Sequence, residues 1–462
     1  MWSRSDLCAL LACCACCTGP ALAATGADIG ADIATDPGAA RATGTVPGLA
    51  PDMAAGSATA PAIAPAPIQA ADMFYSRINV LTYATGQRLG ESFLNPGNVQ
   101  MIPRYQAALE VRPDFNLNLG RFEFGLKPRL EYAASQVDSI FSAGPAEITS
   151  AVFRQLSGNP WFDGYRIGDW LPHANGYASH SRTFINEGYA RYHITDRLLA
   201  VAGRENLQWG PSSLLSPSNP FNANNGRNNP NLELPGLDYV RLVAIPNPAL
   251  TMSLIANTGP GRMNQNGPFE NAYAAKLDYT GDGHYFSVIV SERAHERRRL
   301  GLFGGWNASD ALLLYIEGSA AKKSTLPFST SDYQVLVGGA YTLEAGPTLT
   351  LEYFHNNAGC SANIVLCLLQ QIVTNTPPTP LLRKRYALLQ YVDTRIGGKL
   401  NLALRLIRNL DDHSGVLVAN LEYELGQHWQ LDVVPTLYRG GSDSEFGGLL
   451  RRSIFFGASY TF

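Results

Sequence analysis

The sequence predicts an all-β protein, a transmembrane antiparallel β-barrel of about 18 strands, and four observations carry that prediction. Apolar and polar residues alternate singly over stretch after stretch. Charged residues make up only 16% of the 462, against roughly 25% in an ordinary soluble protein. No stretch beyond the first two dozen residues reaches the roughly 18 consecutive apolar residues that a membrane helix needs. Finally, turn-forming clusters recur along the chain, short and long connections in alternation.

The alternation is clearest in residues 104–112, where Tyr105, Ala107, Leu109 and Val111 interleave with Arg104, Gln106, Glu110 and Arg112. In the next segment Arg121, Glu123, Lys127, Arg129 and Glu131 interleave with Phe122, Phe124, Leu126, Leu130 and Tyr132. Successive side chains of a strand point to opposite faces, so each segment has one charged and one apolar face. A soluble sandwich would turn the apolar face inward. Chain length, an export signal and a terminal Phe instead predict lipid outside and water inside.

The first 23 residues read as a signal peptide. Arg4 supplies the positive end, Leu7 to Cys17 the apolar stretch, and Ala21-Leu22-Ala23 a small-residue cleavage site. Cleavage there removes five of the seven cysteines and leaves Cys360 and Cys367. In an exported chain such a spacing predicts a disulfide that staples a loop. Residues 24–72 are Ala, Gly, Pro and Thr with scattered Asp; they lack a hydrophobic period and predict a flexible periplasmic leader. Residues 73–462 are left for the barrel.

Short connections are expected at Thr195-Asp196-Arg197, Pro246-Asn247-Pro248, Thr280 to Gly283, Asn307 to Asp310, Glu344 to Pro347, Asp393 to Gly398 and Gly426-Gln427. Longer ones fall near 135–183, 208–237, 258–270, 320–332, 356–382 and 439–451, with two brief ones near 294–298 and 409–413. Short turns belong on the periplasmic side of such a barrel and longer loops outside. The count is 18 with a first strand near 74–84, and 16 is the alternative. In the last segment Ile454, Phe456, Ala458, Tyr460 and Phe462 share one face, with Ser453, Gly457, Ser459 and Thr461 opposite. This resembles the closing strand of Gram-negative outer-membrane barrels. The resemblance implies the cell outer membrane as location, surrounding lipid and lipopolysaccharide, and the barrel-assembly machinery as a partner that reads the strand ending at Phe462.

No catalytic motif is present: there is no Gly-x-Ser-x-Gly elbow, no His-Glu-x-x-His and no phosphate-cradling Gly loop. Neither an enzyme nor a cofactor or metal is therefore expected, and the net charge of −3 gives no sign of nucleic acid. The basic run Arg297-Arg298-Arg299 with Arg293 is either a solvated hairpin tip or a contact for lipopolysaccharide phosphates.

Following the alternation, the lumen should carry Arg104, Arg112, Arg121, Lys127, Arg129, Arg191, Arg204, Arg241, Lys276, Lys399 and Arg405. Glu110, Glu123, Glu131, Glu187, Asp278, Glu317, Glu352, Glu422 and Asp432 should face them. Two readings stay open: charges pairing across the ladder to hold the wall, or a screened pathway favouring anions and hydroxylated solutes. Loop 135–183, with Trp161, Tyr165 and Trp170 beside Arg and Asp, is the expected constriction or saccharide contact. The segment from Gly203-Arg204 to Trp209-Gly210-Pro211 and on to Phe221 is a second candidate, with Trp209 expected at the membrane interface.

That second segment is similar to the capsule-assembly outer-membrane lectins, the Wzi-like family, which implies an 18-stranded barrel binding polysaccharide. The inward arginines also look like the alginate-export type of barrel. The expected function is an outer-membrane channel, porin-like or of polysaccharide-export type, passing polar, anionic or saccharide solutes. The alternative is a surface barrel that binds polysaccharide in capsule assembly and conducts little.

Overall fold

A computed structural model of the chain describes residues 73–90, 105–136, 171–173, 177–225, 233–262, 269–293, 298–321, 332–362, 364, 366–367, 381–448 and 450–462. The expected signal peptide and leader lie outside these residues. The strands in order are β1 (Phe74–Leu89), β2 (Tyr105–Leu119), β3 (Phe122–Gln136), β4 (Leu171–His173), β5 (Tyr177–Thr195), β6 (Leu198–Glu205), β7 (Leu237–Asn247), β8 (Leu250–Gly259) and β9 (Ala272–Gly281). They continue with β10 (His284–Arg293), β11 (Arg299–Asn307), β12 (Leu312–Ala321), β13 (Asp332–Thr342) and β14 (Thr348–Asn356). The rest are β15 (Arg385–Ile396), β16 (Leu400–Asn409), β17 (Gly415–Leu425), β18 (Trp429–Arg439) and β19 (Leu450–Thr461).

Each long strand pairs antiparallel with the next, and β4 is a three-residue addition to β5. Without it the wall is a closed barrel of 18 strands. Closure is made by β19 on β1, with Asn79 opposite Thr461 and Thr85 opposite Phe455. The final backbone N–H, on Phe462, donates to the Ile78 carbonyl at 2.9 Å. The expected short turns join the strands at one end. Of the longer connections, the one expected over 135–183 is cut short, because β5 already begins at Tyr177 and its first residues pair with the end of β3.

The outer face is apolar. Leu254 is 60% and Leu351 63% exposed, within a belt that includes Leu242, Leu302, Leu314 and Leu417. So much bare leucine is stable only against lipid. At the short-turn end the belt is bordered by aromatic pairs: Phe122 stacked on Tyr192 at 4.6 Å, Tyr279 stacked on Phe286 at 5.1 Å and Trp429 edge-on to Tyr460 at 5.0 Å. Aromatic girdles of this kind sit at the membrane–water interface. The chain is thus a transmembrane barrel of the Gram-negative outer-membrane type.

Candidate functional site

Barrels of 16–18 strands are too wide for wall side chains to fill, so the lumen is the site to examine. Its two sides differ. The side formed by β2, β3, β5, β6 and β7 carries charges paired along and across the strands, most of them partly exposed. Arg112 bonds Glu110, Lys127 meets Glu187 at 3.1 Å, and Arg191 meets Glu123 at 3.0 Å and Glu205 at 3.2 Å. Arg241 reaches the same Glu205 carboxylate at 3.2 Å. The Arg191 guanidinium also lies 4.4 Å from the centre of the Tyr189 ring. That ring lies flat over Gly125, where any Cβ would collide with it.

The side formed by β12 to β18 is packed and dry. Leu336, Phe354, Tyr386, Leu388 and Ile407 point inward with almost no exposure, in one cluster with Leu214, Leu215, Leu381, Leu382 and Phe446. The last five belong to the long connections 206–236, 357–384 and 440–449, so the described parts of these three loops fold into the barrel mouth.

The described part of loop 206–236 spans from one wall to the other. Trp209 and Phe221 sink among Tyr239, Ile255, Ile289 and Phe303, and the Lys276 ammonium sits 5.4 Å from the Trp209 ring. Leu214 and Leu215 then reach the opposite wall. Two inward carboxylates receive the loop there: Glu352 accepts the Ser213 N–H at 2.5 Å and the Leu214 N–H at 2.9 Å. Glu317 accepts the Ser216 hydroxyl at 2.5 Å, the Ser218 hydroxyl at 2.6 Å and the Ser218 N–H at 3.3 Å. Near its return, Glu233 takes two bonds from Arg129, at 2.7 and 2.5 Å. Burial pushes the Glu233 carboxyl up, but the guanidinium outweighs it and holds the group below the usual carboxylate range. The loop is therefore tied to both walls.

Loop 357–384 carries the Cys360–Cys367 disulfide, as the spacing predicted. Arg383 braces it by donating to the Ala362 carbonyl and to Cys367 Sγ. From loop 440–449, Glu445 accepts the Tyr386 hydroxyl at 2.5 Å, the Asn409 amide at 2.6 Å and the Leu382 N–H at 2.9 Å. Complete burial still raises its carboxyl to about 7.

Most predicted lumen residues are in place: Arg112, Lys127, Arg129, Glu131, Glu187, Arg191, Arg241 and Arg405 all lie on inward positions. Arg405 bonds Gln390 on the packed side. Three predictions need correction. Arg121 is exposed in the turn after β2, because the strand ends at Leu119 and Gly120 turns the chain at φ +63°. Arg204 takes the face opposite Val201 and Glu205; it pairs with Asp238 at 2.7 Å near the long-loop rim. Lys399 likewise lies exposed in a turn.

Trp209 is 7% exposed inside the barrel rather than at the membrane interface, since its loop turns inward. Arg104, Trp161, Tyr165 and Trp170 fall outside the described residues. Sequence reasoning missed Glu205, Glu233 and Glu445. For Glu205 a signal existed: of the adjacent charges Arg204 and Glu205, only one can face the lumen.

No family model matches the sequence, and no curated protein matches it. Solved structures do match. OccAB3 of Acinetobacter baumannii is 12% identical with a TM-score of 0.50, over 84% of this chain and 99% of that one. OccK11 (OpdR) of Pseudomonas aeruginosa is 11% identical with a TM-score of 0.52, over 84% and 95%. OccK5 (OpdH) of the same organism is 10% identical with a TM-score of 0.51, over 84% and 98%. At these identities the likeness is one of fold. The resemblances to capsule-assembly lectins and to alginate-export barrels find no support in these comparisons.

Proposed function

We propose that the protein is an outer-membrane channel for small polar solutes, narrowed by loop 206–236. The observation that carries this reading is the division of the lumen: a packed wall that holds the inward loops faces a lane of partly exposed, paired charges. A barrel meant only to be closed would have no use for such a lane, whose partly exposed ion pairs suit hydrated solutes. The likeness to the Occ barrels agrees with it. Because the lane's cations each bond a carboxylate, size and polarity would govern passage more than the sign of charge. Lipid and lipopolysaccharide would surround the apolar belt, and the strand ending at Phe462 suits recognition by the barrel-assembly machinery.

The test is conductance of the refolded, full-length protein in a planar bilayer. Steady single-channel steps are expected, blocked by no added cofactor. A silent membrane containing folded barrel would overturn the channel reading and favour a plugged barrel, for which the three buried loops are the supporting observation.

A further inference from the structure

We propose that the inner wall at β16–β18, close to the short-turn end, holds a hard divalent cation, calcium or magnesium. Glu422 on β17 and Asp432 on β18 are direct cross-strand partners. Both face inward and both are buried, at 3% and 2% exposure. Like charges directly opposite on a ladder repel, and burial without a counter-charge sharpens the cost.

The lane's carboxylates each have a cation at hand, and Glu317 and Glu352 hold loop N–H groups and hydroxyls. Here, among the described residues, neither carboxylate takes part in an ion pair. Each receives a single neutral amide bond, Glu422 from Asn401 Nδ2 and Asp432 from Gln430 Nε2, both at 3.1 Å.

A second observation points to the same place. Asn420, one step along the inward face from Glu422, is 4% exposed, and among the described residues neither its Oδ1 nor its Nδ2 has a partner. Across β16 it faces Ala403, whose methyl leaves room beside it. An amide buried with both ends unsatisfied is costly. A cation between the strands would use its oxygen and neutralise the carboxylates together. The donors on offer are carboxylate and amide oxygens, without sulfur or imidazole, which is the set that suits calcium and magnesium. Glu424, exposed two residues further along the same face, adds negative potential on the approach from the short-turn end.

The experiment uses the refolded full-length barrel in lipid-free detergent, stripped with a chelator and then titrated with calcium or magnesium chloride. Thermal unfolding is followed by the heat-dependent gel shift of the barrel, and calcium stoichiometry by equilibrium dialysis. The wild type is expected to bind one ion per chain at this site and to unfold several degrees higher with cation than without. The double variant Glu422→Gln/Asp432→Asn removes the repulsion while keeping side-chain shape. It is expected to unfold at or above the stripped wild type, to lose the bound ion and to ignore added cation. An unresponsive wild type overturns the proposal, as does a variant that responds equally, which would place the ion elsewhere. Should the double variant not refold, Asp432→Asn alone decides: calcium affinity weakened at least tenfold supports the site, and unchanged affinity sinks it.

Discussion

Single carboxylates hold the inward loop, and their removal has a calculable direction. Glu352→Ala would leave the Ser213 and Leu214 N–H groups buried without acceptors, at a cost of about 1–3 kcal/mol for each. The expected outcome is a loop that leaves the wall, read as larger single-channel conductance and faster proteolysis within 206–236; unchanged values of both would count against the latch. Gly210, one turn earlier, stands at φ +83°, and a Cβ there would run into the Glu317 carboxylate. Gly120 has a similar φ of +63° in an open turn with nothing near it. Alanine at Gly120 should therefore cost only the left-handed backbone penalty, about 1–2 kcal/mol, while alanine at Gly210 adds the clash. Comparing the unfolding temperatures of the two variants separates those contributions, and equal losses would mean that Gly210 does not press on Glu317.

Among the elements, strands were more legible than loops, and the reasons are physical. On β3, charges on one face oppose Phe and Leu on the other, so the direction of Glu123, Lys127 and Arg129 could be read locally. On β6, Leu198 to Ala202 are apolar on both faces, so nothing local set the parity. The inward choice of Glu205 over Arg204 is made by Arg191 and Arg241 on neighbouring strands. The inward course of Trp209 and its loop is not legible locally, because the loop's acceptors, Glu317 and Glu352, lie 101 and 139 residues from the serines they bind. The disulfide could be foreseen, since both cysteines lie within one loop. Reducing it, or replacing Cys360 and Cys367 by Ser, should destabilise loop 357–384 by about 2–3 kcal/mol on loop-closure grounds; a heat-dependent gel shift indifferent to reductant would refute this. Glu445 gives the neighbouring loop a pH dependence. Its carboxyl is raised from 4.5 to about 7 in the folded protein, so the folded state binds the extra proton. Its Tyr386, Asn409 and Leu382 donors do not offset burial, and nearby Asp412 adds repulsion. Loop docking should then be strongest below about pH 4.5 and weaken as pH rises to about 7. Conductance that climbs over this interval in the wild type, and stays flat in Glu445→Gln, is the expected result.

At the scale of the molecule, the charge lane decides what kind of filter the barrel is. A channel lined by free guanidinium groups would favour anions, because fixed positive charge concentrates counter-ions in a confined space. Here the cations are neutralised one by one: Arg112 by Glu110, Lys127 by Glu187, Arg129 by Asp114 and Glu233, and Arg191 and Arg241 by a shared Glu205. Pairing also fixes the side chains across the ladder, so the wall should not rearrange when ions pass. The reversal potential in a potassium chloride gradient should accordingly lie near zero for the wild type. Glu205 is the point at which that balance is most exposed to change, since one carboxylate serves two arginines. Glu205→Gln would leave Arg241 without its bonded carboxylate and Arg191 with Glu123 alone, turning this level of the lane positive. The variant should shift the reversal potential toward chloride, and the shift should shrink at high salt as the charges are screened. A wild type already strongly selective for chloride would mean that the pairs open in the conducting state. A Glu205→Gln channel with unaltered selectivity would mean that solutes do not travel along this wall.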